Sequence, residues 1–186
     1  MRALAAAAVL LLTLTACSGG DTEKSSESTP GFDVPAGLTL SEPGTEKKVG
    51  ESLAIGYPSA EDEAGTALAL GVTRVVEAPR RDLSLYRIPA GMQPYYVRVM
   101  VGNRGPAEAS FPEGLPWWLH VAGDTLVPAT PTPGGFSTCA PPQVGRTMAA
   151  GTTAKGCLLF LVPKGTAVES VDFQPGGVAT AVRWRP

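Results

Sequence analysis

"YYVRVMVGNRG" (Tyr95–Gly105) decides the fold class. Val97, Val99 and Val101 recur at every second position, with Tyr96, Arg98 and Met100 between them. That is the period of a strand with one face buried, because successive side chains point to opposite sides. Asn103-Arg104-Gly105 then ends the run with turn chemistry. The same alternation extends outward in both directions. Upstream lie "VGESLAIGY" and "TALALGVTRVVEA", where Leu68, Leu70 and Val72 share a face. Further strands are expected at Leu83–Ile88, Trp117–Val121, Thr125–Val127, Cys157–Val162, Val168–Phe173 and Val178–Trp184. Gly and Pro are plentiful between them, and no stretch of a dozen residues carries a 3.6-residue period. Short strands punctuated by turn signals predict an all-β sandwich over residues 49–186.

The N-terminus reads differently. Met1-Arg2 is followed by an Ala- and Leu-rich run to Leu14, too short to cross a hydrocarbon core that needs about 20 apolar residues. A basic start, a short apolar stretch and small residues make a secretory signal peptide, assigned to residues 1–16. Leu14-Thr15-Ala16-Cys17 resembles the lipobox of bacterial lipoproteins. The resemblance implies diacylglyceryl modification of the Cys17 thiol, cleavage before Cys17, and acylation, commonly palmitate, of the freed amine. Two or more acyl chains anchor stably where one binds only marginally. Ser18 to Lys48 is rich in Ser, Thr, Gly, Pro and charge, and predicts a flexible linker over 17–48. At about 30 residues it would span roughly 30 Å.

The order of "KKVGESLAIG", "ALGVTRVVEAP", "YYVRVMVGNRGP", an aromatic strand with "VAGDTLVPA", "AAGTTAKGCLLFLVPKG" and "VDFQPG" resembles the telokin-like, immunoglobulin-type domains of Gram-positive and actinobacterial lipoproteins. The resemblance runs from about Lys47 to Trp184. It implies an immunoglobulin-like sandwich acting as an extracytoplasmic interaction module. The Pro- and Gly-rich stretch from Pro128 to Arg146 is longer than a turn of that family.

With Cys17 assigned to lipid, Cys139 and Cys157 remain, and in an oxidising compartment such a pair closes. A bridge closing a loop of roughly 19 residues stabilises by ~3 kcal/mol in the chain-entropy picture. Signs of catalysis are sparse. The chain carries 15 Lys+Arg against 17 Asp+Glu and no clustered basic run, so nucleic acid is not the expected partner. His120 is the single histidine, no serine sits in a G-x-S-x-G elbow, and Glu61–Glu63 lack the spacing of a calcium loop. Gly134-Gly135 and Gly176-Gly177 precede no helix, so neither reads as a phosphate cradle. The expectation is a monomeric, non-enzymatic module without cofactor, held at the outer membrane surface by its lipid and meeting an envelope protein or cell-wall component. The alternative is a carrier of metal or a small ligand, with His120 assisted by carboxylates or by Met92, Met100 and Met148.

Trp117 and Trp118 cannot enter the same core if they are neighbours on a strand. Trp117 shares its face with Leu119 and Val121, which predicts burial. Trp118 shares its face with His120 and is expected to point outward, the two forming the candidate binding surface. "CLLFLV" (157–162) is apolar on both faces, as if something covers the sheet's outer side. The expected cover is the Pro128–Arg146 loop, pinned by Cys139–Cys157 and sheltering Trp118.

Overall fold

A computed structural model describes residues 31–59, 65–84, 86–132 and 136–186. The signal peptide, Cys17, the acidic run Glu61–Glu63 and Gly134-Gly135 lie outside them.

The described residues form eleven strands: β1 (Glu46–Lys48), β2 (Ser52–Tyr57), β3 (Thr66–Glu77), β4 (Met92–Asn103), β5 (Ala109–Ser110), β6 (Trp117–Val121), β7 (Thr125–Pro128), β8 (Thr147–Met148), β9 (Thr153–Pro163), β10 (Val168–Phe173) and β11 (Val182–Arg185). They build a five-stranded sheet in the order β1-β11-β10-β6-β7, a four-stranded sheet in the order β2-β3-β4-β9, and a small β5-β8 pair. Among the pairs of these strands only β1 with β11 is parallel. The result is the immunoglobulin-like β-sandwich that the strand pattern implies.

Period-2 patterning decides what lies between the sheets. Val97, Val99 and Val101 of β4 and Leu68, Leu70 and Val72 of β3 face Trp117, Leu119, Val171, Phe173 and Trp184 of the opposite sheet, all within one buried cluster. Trp117 packs edge-on to Phe173 with centroids 4.9 Å apart, and lies 5.6 Å from Trp184. The Trp184 indole donates to the Glu51 carbonyl at 3.0 Å, so one polar atom at this end of the core is satisfied.

Asn103 is buried and makes every hydrogen bond its amide can offer. Its Oδ1 accepts from Thr66 and from the Gly105 amide, and its Nδ2 donates to the carbonyls of Ala107 (2.7 Å) and Met148 (2.9 Å). The turn that closes the decisive strand is therefore also the hub joining β3, β4 and β8. Gly105 is required there, since a Cβ would collide with Thr66 and the Ala67 amide.

Three expectations change. The described residues of Leu83–Ile88 form no strand: Arg80–Leu83 forms a short 3-10 turn, and Leu83 is almost wholly buried. Pro79 and Pro89 bracket the segment, and two residues without an N–H favour a turn over a ladder. Val178–Trp184 contracts to β11, because Val178–Thr180 turns after Gly177, whose φ of 97° breaks the extended run. The expected linker is shorter than composition implies. Glu46–Lys48 pairs with β11, the Ser41 amide donates to Ala54 beside β2, and Phe32 and Leu40 lie over Gly56. Backbone pairing and two apolar side chains hold a stretch whose composition alone could not.

The stretch after β7 wraps one edge of the four-stranded sheet. Thr130 bridges to Leu159, the Cys157 amide donates to Ala140, and a Cβ on Gly156 would collide with Pro141 and Pro142. Val144 and Met148 then reach the main core. An edge strand that would otherwise offer open N–H and C=O groups is thus covered by the chain itself.

Candidate functional site

The Cys139–Cys157 disulfide is formed, with Cα atoms 4.8 Å apart and both residues buried. It anchors a second apolar layer on the outer side of the four-stranded sheet. There Tyr96, Leu159 and Ala78 are covered by Leu83, with Val76, Tyr86, Ile88 and Phe136 around them. The Tyr86 ring meets Phe136 edge-on at 4.9 Å. Burial of the Tyr96 phenol raises its pKa, and the negative charge of Asp82 and then Tyr86 push it the same way. The two-faced apolar strand 157–162 is explained by this layer. Its cover comes from the 80–88 segment as well as from the 136–140 turn.

Trp118 is not under that cover. Its strand, β6, belongs to the five-stranded sheet, whereas Cys157 is in β9 of the other. Trp117 is buried, and Trp118 and His120 share the outer face, as their alternation requires. The shelter expected from the disulfide loop is corrected by strand pairing: the bridge and Trp118 lie in different sheets.

What surrounds Trp118 and His120 is polar and specific. Register places Asp172 opposite Trp118 and Ser170 opposite His120, with Arg183 opposite Asp172 on the far side. The Asp172 side chain is only 1% exposed although it stands on an outer face. Ser170 donates to its Oδ1 at 2.5 Å, Arg183 Nε donates to its Oδ2 at 3.1 Å, and His120 Nδ1 lies 3.9 Å from Oδ2. The other imidazole nitrogen, Nε2, is 3.0 Å from Asp124 Oδ1. Asp124 reaches back because the β6–β7 hairpin turns through Gly123 (φ 85°) and Asp124 (φ 54°), and Asp tolerates the left-handed region better than most residues. His120 is thus hydrogen-bonded to Asp124 and stands near Asp172, a buried carboxylate compensated by Arg183 and a hydroxyl.

The arrangement orients the His120 imidazole through Asp124. The Ser170 hydroxyl donates to Asp172, which spends it on holding the buried carboxylate. The methionines proposed as His120's partners are elsewhere: Met148 is in the main core and Met100 is on the outer face of the other sheet. Among the described residues no three His, Cys, Asp or Glu side chains converge for a metal. Asp124, Ser170, Asp172 and Arg183 were not singled out in the sequence. Alternation in "VESVDF" and "VRWR" puts them on outer faces, but only register makes them neighbours.

A shallow depression of about 610 Å³ lies beside this face, between Glu46–Val49 and Arg185–Pro186. Its charges satisfy one another, with Arg185 Nε and Nη2 each 2.7 Å from the Glu46 carboxylate. That double hydrogen bond lowers the Glu46 pKa and raises that of Arg185.

With this geometry described, comparison with solved structures places the architecture. MPT63, a secreted protein of Mycobacterium tuberculosis, superposes with a TM-score of 0.55 over 77% of this chain and 98% of its own, at 17% identity. The fold is shared. An uncharacterized β-sandwich protein of Clostridium difficile matches 81% of the chain and 98% of its own at 10% identity, with a TM-score of 0.44. A candidate lipoprotein, YcdA of Bacillus subtilis, matches 64% of the chain and 36% of its own at 21% identity, also at 0.44. No family model and no curated protein matches the chain. The telokin-like resemblance is therefore supported as far as a β-sandwich and no further.

Proposed function

We propose that the protein is a non-enzymatic, monomeric binding module on the extracytoplasmic face of the cell membrane, anchored through acylated Cys17, with the Trp118–His120 face meeting an envelope protein or cell-wall component. The observation that carries the binding role is that a half-buried indole and an imidazole hydrogen-bonded to Asp124 share one outer face. Aromatic side chains immobilised on a rigid strand lose little entropy when a partner docks. The buried disulfide supports an oxidising compartment, and MPT63, which shares the fold, is itself a secreted protein. Among the described residues no helix is long and apolar enough to cross a membrane, so the acyl chains would supply the attachment.

The test places a photoactivatable side chain at Trp118 in intact cells, with Val178, which is 57% exposed, as the control position. A discrete adduct from position 118 that is absent from position 178, and that is lost with Asp172→Ala, supports the reading. Equal adducts from both positions overturn it.

A further inference from the structure

The outer face of the four-stranded sheet carries cations that pair with no carboxylate among the described residues. Arg74 stands directly opposite Arg98, two like charges in one cross-strand pair. Lys155 stands opposite Met100 one step along that face, diagonal to Arg98. Arg104 extends over Gly102, its Nε 3.6 Å from where a Cβ would be. All four are exposed. Among the described residues none of them forms an ion pair, whereas Arg183 and Arg185 of the other sheet both do. The cover segment beside them adds one carboxylate, Asp82, and Arg81 is 3.7 Å from it. Between the cations, Met100 lies over Gly71, its Cε 3.7 Å from where a Cβ would be. Like charges placed opposite one another are destabilising, so this pair persists at a cost to the isolated fold.

A second observation concerns where the anchored end enters. Gly56 turns away from the core, between inward Ile55 and Tyr57, and a Cβ there would meet Phe32 and Leu40. The chain leading back to Cys17 thus enters on the same outer face as the cations. By composition the roughly 14 residues from Cys17 to Gly31 have a span of about 20 Å.

We infer that this face rests on an anionic phospholipid surface, with Arg74, Arg98, Arg104 and Lys155 over headgroup phosphates. The inference deepens the proposed function and rests on its anchor. In a sandwich the two outer faces are opposite, so docking by the cationic face turns Trp118 and His120 away from the membrane toward a partner. Each basic side chain near an anionic leaflet is worth on the order of a fivefold gain in partitioning. The four together give on the order of several hundredfold, screened by salt.

The experiment uses the mature protein isolated from cell membranes and reconstituted on vesicles of phosphatidylcholine alone or with phosphatidylglycerol. A water-soluble amine reagent labels lysines, and mass spectrometry reads Lys155 against Lys47, which lies in the other sheet. Labelling of Lys155 is expected to slow several-fold on the anionic vesicles only. Lys47 is expected to be unaffected, and high salt or Arg74→Gln with Arg98→Gln is expected to remove the protection. These substitutions relieve a like-charge contact at exposed positions, so folding is retained. Equal labelling of Lys155 on both vesicles overturns the docking. So does equal protection by soluble polyphosphate added over neutral vesicles, which would assign the face to a polyanion rather than a membrane. The anchor is read separately: salt-resistant flotation with neutral vesicles requires it, and loss of that flotation alone would refute the anchor while the lysine pattern on anionic vesicles still judges the face.

Discussion

The two outer faces of the sandwich solve the same problem in opposite ways. On the five-stranded sheet the polar groups neutralise one another: Asp172 is satisfied by Arg183 and Ser170, His120 by Asp124, and Arg185 by Glu46. No other segment needs to cover them. On the four-stranded sheet one part of the face is apolar and sits beneath a second layer held by the disulfide, while another part bears cations that form no ion pair among the described residues. A face that closes on itself keeps its geometry whatever approaches. A face with uncompensated charge has a lower free energy when something anionic approaches, and this asymmetry is why the two faces are assigned different tasks.

The largest expected effect removes the clasp on the covered face. Cys139→Ser with Cys157→Ser should lower the unfolding free energy by about 3 kcal/mol, read from denaturant midpoints. Quenching of Trp118 should stay unchanged, because that residue is in the other sheet. A rise in Trp118 accessibility on opening the bridge would break the independence of the two faces. Next, Asp172→Ala leaves Arg183 without its carboxylate and Ser170 without its acceptor, and should cost about 2 kcal/mol. Asp172→Asn, which keeps an acceptor, should cost less, and equal losses would show that shape rather than charge holds this face. On the cationic face the sign reverses. Arg74→Thr should raise stability by about 0.5 kcal/mol at low salt, and the gain should fade as salt screens the pair. The smallest effect is the exposed Glu46–Arg185 pair. The Glu46 pKa is lowered in the folded state, so its contribution is present above the ordinary carboxylate range and is lost as pH falls through the lowered value. Glu46→Gln should therefore narrow the stability difference between neutral and acidic solution, with the two proteins converging at the acid end.

Much of this was written locally. Alternation in 95–101 and 66–72 placed the core side chains, and the apolar run 157–162 announced a covered outer face. Trp117 inward and Trp118 outward followed from their adjacency alone. Where local reading failed, a competing local feature was responsible: Pro79 and Pro89 made a turn of an apolar segment, and the polar stretch 41–48 joined the fold through backbone bonds that composition does not record. Burial of the Tyr96 phenol was hidden for a related reason, since its covering residues come from segments distant in sequence.

The sequence by itself determined which face of each strand is apolar, and left one pair of cysteines to bridge once Cys17 is read as lipidated, because both are properties of short stretches or of counting. Only the tertiary structure decided which strands are neighbours. A period of two says which way a side chain points, but nothing about the strand beside it. Placing β10 between β6 and β11 is what sets Asp172 between Trp118 and Arg183. Placing β9 in the other sheet separates the disulfide from Trp118, and pairing β3 with β4 sets Arg98 opposite Arg74. Those pairings are fixed by long-range contacts whose free energy is shared over the whole core, and no single stretch encodes them.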